Sequence, residues 1–226
     1  MNKSLSGSML KYLLVSSPRC PFARATIKTH KPELNARPII NGRDAVPHRL
    51  ARKLAKTLTQ AVGMISGKSL KNSADLMARL QNITIRCKQL VSFDVKSLFT
   101  NISVAQAMAA AKRALDLLDD DVIPLPKDDF LSLVEMCVRF GSFSFESMEF
   151  EQVDGLAMGS PLSAVLATLA LECLERDCYL PLIGQNGFWV RYVDDVLAIL
   201  PLRTNVDNLL QEVERSEPSG PVHSGA

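Results

Sequence analysis

Three aspartates stand out as residues able to do chemistry. Asp194 and Asp195 are adjacent and lie between two apolar runs, Trp189–Val193 and Val196–Leu200. Two strands joined so closely make a hairpin, and its turn normally takes Asn-Gly or glycine-containing pairs because the favoured turns need positive φ. Two neighbouring carboxylates there repel unless something cationic binds them. An isolated Asp-Asp is usually an ordinary surface turn, but a second signal weakens that reading. Phe93-Asp94-Val95 closes another apolar run, Leu90–Phe93, so Asp94 stands at a strand end where it can face a neighbouring turn. Hard oxygen ligands from separate strands suit Mg²⁺, whose octahedron is completed by water and substrate phosphates. Two such ions can activate a 3′-hydroxyl and stabilise a pyrophosphate leaving group in an in-line displacement.

The surrounding pattern predicts alternating strands and helices, an α+β class. Ser103 with Gln106 reads as a capping box, followed by Val104, Ala107, Ala111, Leu115 and Leu118 on one helical face. A second helix is expected from Pro126, with Asp128 and Asp129 in its first turn, to Gly141. Phe143/Phe145 and Met148/Phe150 alternate around Glu146-Ser147 as a hairpin whose wet face carries Glu149 and Glu151. Ser160-Pro161 opens an Ala/Leu-rich helix expected to run to about Cys178, and Val206, Leu209, Leu210 and Val213 mark a last amphipathic helix. The two β runs of the Asp-Asp hairpin are expected to be separated only by Asp194-Asp195. Upstream, Leu50, Leu54, Leu58 and Val62 recur at helical spacing with cations between them.

Charge is unevenly spread. Ten Lys or Arg against two acids lie between Arg19 and Lys56, while the rest of the chain is net acidic. A basic lobe joined to an acidic body suits a protein that holds a polyanion and keeps carboxylates for metal, although a solvated basic face would give the same pattern. The N-terminus has no signal-peptide pattern, and the longest uncharged stretch, Gly155–Leu171, contains Pro161, two serines and a threonine, against a transmembrane helix. Five cysteines show neither C-x-x-C spacing nor even pairing, which predicts reduced thiols in an intracellular protein, nuclear or cytoplasmic. Asp119-Asp120-Asp121 reads as a solvated loop, and His30, His48 and His223 are scattered without metal-ligand spacing.

Phe93-Asp94-Val95-Lys96-Ser97-Leu98-Phe99-Thr100-Asn101-Ile102 resembles reverse-transcriptase motif A. Ala157-Met158-Gly159-Ser160-Pro161-Leu162-Ser163 resembles motif B, and Arg191-Tyr192-Val193-Asp194-Asp195 motif C. Lys28-Thr29-His30-Lys31-Pro32 and Ala36-Arg37-Pro38-Ile39 resemble the fingers motifs. The set, in order over residues 27 to 215, is most similar to Penelope-like retroelements, relatives of the telomerase catalytic subunit. It implies the fingers and palm of a right-hand polymerase, the palm an antiparallel sheet backed by helices, RRM- or ferredoxin-like. The expected organisation is an irregular lead-in at 1–26, a basic fingers-like region at 27–89, a palm at 90–215 and a disordered tail at 216–226.

The resemblance implies RNA-directed DNA polymerisation on an RNA template and DNA primer from deoxynucleoside triphosphates, with two Mg²⁺ ions or Mn²⁺ in their place. It implies no membrane and leaves protein partners unknown. Asp94, Asp194 and the Val95 carbonyl would hold metal, with Asp195 supporting them electrostatically. Phe99 falls at the steric-gate position, which excludes a ribose 2′-hydroxyl. Lys28, Lys31 and Arg37 would grip the triphosphate, Met158 and Gly159 would lie against the nucleotide, and Arg191 and Tyr192 would touch primer or template. Trp189 is expected in the core. Met158 departs from the glutamine common before the motif B glycine. The family continues with a lysine-bearing loop, a primer grip and a helical thumb, where this sequence has one more helix and a polar tail. A catalytically inactive remnant, or a domesticated nucleic-acid-binding protein, is therefore the alternative expectation.

Overall fold

The computed structural model describes residues 7–27, 36–81, 83–184 and 187–216. In chain order its elements are α1 (Gly7–Leu13), β1 (Phe22–Ile27), β2 (Ala36–Asn41), α2 (His48–Leu58), α3 (Ser73–Leu80), β3 (Lys88–Asp94), α4 (Leu98–Asn101), α5 (Val104–Leu117) and α6 (Lys127–Arg139). There follow β4 (Ser142–Phe145), β5 (Met148–Glu151), α7 (Pro161–Leu174), α8 (Leu180–Ile183), β6 (Phe188–Tyr192), β7 (Asp195–Pro201) and α9 (Val206–Ser216). Lys28, His30, Lys31 and the tail from residue 217 lie outside the described residues.

The chain divides into two compact units that interleave in sequence: Met1–Ala61 with Phe99–Ala167, and Val62–Leu98 with Thr168–Ala226. The boundaries expected at 26 and 89 do not follow these units. Strand pairing is the reason. In the first unit the sheet order is β2-β1-β4-β5, and the parallel contact Phe22↔Ser144 ties the hairpin of residues 142–151 to the N-terminal strands.

Local chemistry explains the elements of this unit. Ser103 and Gln106 form the expected capping box at the start of α5, satisfying two N-terminal N–H groups reciprocally. Behind it Ala107, Ala110, Ala111, Ala114 and Leu115 are buried, a smooth face that lets neighbouring helices approach closely. Phe130 and Val134 of α6, and Leu54 and Leu58 of α2, complete the core, each worth about 1.5–3 kcal/mol of apolar burial. The β4–β5 turn falls on Glu146 and Ser147, at φ 47° and 66°, the left-handed pair that a two-residue hairpin requires.

The second unit is built on the antiparallel sheet β3-β7-β6. Phe93, Trp189, Val196, Ala198 and Leu200 pack with Tyr179 and Leu209 in one core cluster. Trp189 sits between the rings of Phe93 and Tyr179, at 5.7 and 5.9 Å between centroids, so it is a core residue as its neighbours in sequence suggest. The long helix that opens at Pro161 does not stop at Cys178. It passes through a π-helical turn, Glu175–Tyr179, and continues as α8.

Candidate active site

The aspartate hairpin differs from expectation by one residue. Tyr192 pairs with Asp195, so the turn is Val193-Asp194 rather than Asp194-Asp195. Val193 takes φ 58°, a left-handed conformation that costs a β-branched residue on the order of 1–3 kcal/mol. On the far side of β7, Asp195 pairs with Asp94, and the Val95 N–H donates to the Asp194 carbonyl at 3.1 Å. Tyr192, Asp195 and Asp94 therefore form one transverse row on the same face of the sheet, all exposed. Asp194 lies beside that row in the turn. The structure thus brings Asp94, Val95, Asp194, Asp195 and Tyr192 together at one end of a single sheet.

Arg191 is not with them. The alternation of the strand turns it to the opposite, buried face, where it is 2% exposed. Its Nε donates to Glu175 Oε1 at 2.6 Å and its Nη1 to the Val193 carbonyl at 2.8 Å. Nη2 donates to Ser69 Oγ at 3.2 Å and the Thr168 carbonyl at 3.4 Å. A guanidinium so enclosed has no donor edge toward a nucleic acid, and the expected primer or template contact for Arg191 is corrected accordingly. Its carboxylate partner Glu175 also accepts from Trp189 Nε1 and Ser66 Oγ. Glu172, fully buried one turn earlier, accepts from the N–H groups of Gly63 and Ile65 and from Ser69 Oγ at 2.6 Å. Glu172, Glu175 and Ser69 escaped the sequence reading. The available signal was two acids three residues apart at the end of an otherwise apolar helix, where a buried charge must find a partner.

Arg37, Phe99, Met158 and Gly159 belong to the other unit. Arg37 is exposed on β2, paired with Thr26. The Ile40 N–H of the same strand donates to the Met158 carbonyl at 2.7 Å. Gly159, at φ 113°, faces the Ile40 carbonyl so closely that a Cβ would overlap it. What demands glycine here is thus the packing of the loop on β2. Phe99 is half-buried in α4, and its carbonyl accepts the Leu156 N–H at 2.7 Å.

The reverse transcriptase (RNA-dependent DNA polymerase) family matches residues 29–216. The chain belongs to that family. No characterised protein matches it by sequence alone. Among solved structures it is similar to the telomerase of Candida albicans, with TM-score 0.63 and 13% identity over 92% of this chain. It is also similar to the apo telomerase of Candida tropicalis truncated from its C-terminal domain, with TM-score 0.61 and 11% identity over 89%. The RNA-dependent RNA polymerase of a human picobirnavirus gives TM-score 0.57 and 11% identity over 87%. These likenesses establish the fold, the mixed α+β arrangement of polymerase fingers and palm. The chain spans 40%, 47% and 39% of those three chains.

Reverse transcriptases use divalent metal ions, and the aspartate row fits one. Asp94 and Asp195 oppose each other directly across a ladder, an arrangement that destabilises unless a cation sits between the charges. Among the described residues, no group of three or more His, Cys, Asp or Glu side chains is placed to hold an ion unaided. Among the described residues no helix is long and apolar enough to cross a membrane.

Proposed function

We propose that this reverse transcriptase chain extends a DNA primer on an RNA template by two-metal nucleotidyl transfer, as the fingers and palm of a Penelope-like enzyme. The observation that carries the reading is the row of Asp94 and Asp195 on one sheet face, with Asp194 in the turn and locked to Val95 by a backbone hydrogen bond. In this reading Asp94, Asp194 and the Val95 carbonyl hold Mg²⁺, with Mn²⁺ able to replace it, and Asp195 adds negative potential. The ions, when bound, activate the primer 3′-hydroxyl and neutralise charge on the leaving pyrophosphate. Lys28, Lys31 and Arg37 clamp the triphosphate, supplying charge where phosphoryl transfer develops it. Phe99 crowds the sugar C2′ and favours deoxynucleotides, Met158 and Gly159 line the nascent base pair, and Tyr192, on the aspartate face, touches the primer end.

Primer extension on poly-rA/oligo-dT with Mg²⁺ tests this directly. Incorporation by the wild type, abolished by Asp194→Asn, is the expected result. Salt-sensitive nucleic-acid binding with no incorporation would instead mark a binding protein that has kept the fold without the reaction.

A further inference from the structure

Behind the aspartate hairpin lies a buried charge cluster that touches none of the reacting atoms. Arg191 spans it: one edge of the guanidinium rests on Glu175, and Nη1 reaches the Val193 carbonyl at 2.8 Å. Val193 is the residue held at φ 58°, and a β-branched side chain stays in that region only where its surroundings over-determine it. Glu175 is itself fixed by Trp189 Nε1 at 3.3 Å and Ser66 Oγ at 2.7 Å, and it opens the π-helical turn, a departure from regular helix that often marks functional sites. Ser69 Oγ, bonded to Arg191 and to Glu172, braces the opposite edge. Among the described residues, no buried side-chain polar atom lacks a partner. So complete a network fixes one geometry rather than a family of them.

We propose that the Glu175–Arg191 pair is a positioning device that holds Val193 in its left-handed conformation and so sets the height and direction of Asp194. This rests on the reading of Asp94 and Asp194 as metal ligands. The planar fork is essential, because Arg191 must serve Glu175 and Val193 at once, whereas a lysine ammonium is a point donor on a flexible stem. Loss of the fork lets the turn relax, and the metal-binding oxygens lose their common geometry while the rest of the core stays packed.

The test is Mn²⁺ binding, followed by loss of the free-ion electron paramagnetic resonance signal, on the whole chain without nucleotide or primer. Arg191→Lys is expected to weaken Mn²⁺ binding about ten- to hundredfold, as loss of a group orienting a metal ligand does. Glu175→Gln is expected to weaken it in the same direction. Leu209→Ala, a core truncation in the same unit, controls for stability: it lowers the melting temperature yet leaves Mn²⁺ affinity within about twofold of wild type. Arg191→Lys with affinity within about twofold of wild type overturns the proposal. Should that variant fail to fold, Glu175→Gln decides by the same criterion. Wild-type binding that is insensitive to Asp194→Asn overturns both the metal-site reading and this inference. Weakened binding in Arg191→Lys, from a wild type that does not extend primers, supports the positioning role and overturns only the polymerase reading.

Discussion

Asp94 and Asp195 occupy directly opposed positions on neighbouring strands of one sheet, with their carboxylates on the same face. Without a cation this pair opposes folding. Asp195→Asn is therefore expected to raise the stability of the metal-free protein at low salt by about a few tenths of a kcal/mol. The same substitution should shrink the rise in melting temperature that Mg²⁺ gives the wild type. Thermal denaturation with and without Mg²⁺ measures both. A variant less stable than wild type in the absence of metal would contradict the repulsion.

Gly159 has two constraints at once, a φ of 113° and the Ile40 carbonyl where a Cβ would go. Gly159→Ala is expected to destabilise the first unit by about 1–3 kcal/mol, because neither backbone group can yield without breaking the Ile40–Met158 hydrogen bond. Urea denaturation followed by far-UV circular dichroism gives the number. A neutral substitution would show that the loop moves off β2 at little cost.

His48 gives a pH dependence of known sign. Partial burial lowers its pKa below the ordinary imidazole value, and the nearby Arg52 and Arg43 lower it further against a small opposing pull from Asp44. The contact of its Nε2 with Arg52 Nη2 at 2.9 Å requires that ring nitrogen to accept, so the neutral imidazole is the form that fits. The unfolded chain thus binds a proton more readily than the folded one below about pH 6.5. Stability is full above that value and declines as pH falls toward the lowered folded-state pKa. His48→Gln is expected to flatten the dependence of the melting temperature on pH between about 7.5 and 5. An unchanged slope in the variant would assign the effect to other groups.

Local signals carried well from sequence to structure. Ser103 and Gln106 cap α5, Glu146-Ser147 turns the β4–β5 hairpin, and Phe93-Asp94 ends a strand, because each depends on residues a few positions apart. The motif order was enough to place the chain in its family. What escaped depends on distant pairing. The turn of the aspartate hairpin falls on Val193-Asp194 because the register with β3 and the buried clamp on Val193 outweigh the usual preference against a β-branched residue at positive φ. Arg191 read as a motif C residue reaching primer or template, since its partner Glu175 lies on another element and Ser69 is more than a hundred residues away. The cross-links Phe22↔Ser144 and Ser69↔Arg191, which make the two units discontinuous, have no local signature at all.

The interleaving has a consequence for biosynthesis. Asp94 leaves the ribosome one hundred residues before Asp194, a delay of about 5–20 s at ordinary elongation rates. The first unit has all its strands once residue 151 has emerged, whereas β3 must wait for β7, its hydrogen-bonding neighbour in the sheet order β3-β7-β6. During that interval Lys88–Asp94 has no hydrogen-bonding neighbour, and its exposed Leu90 is a candidate contact for chaperones that bind nascent chains. Asp94, at the aspartate end of the sheet, is thus made early and assembled last.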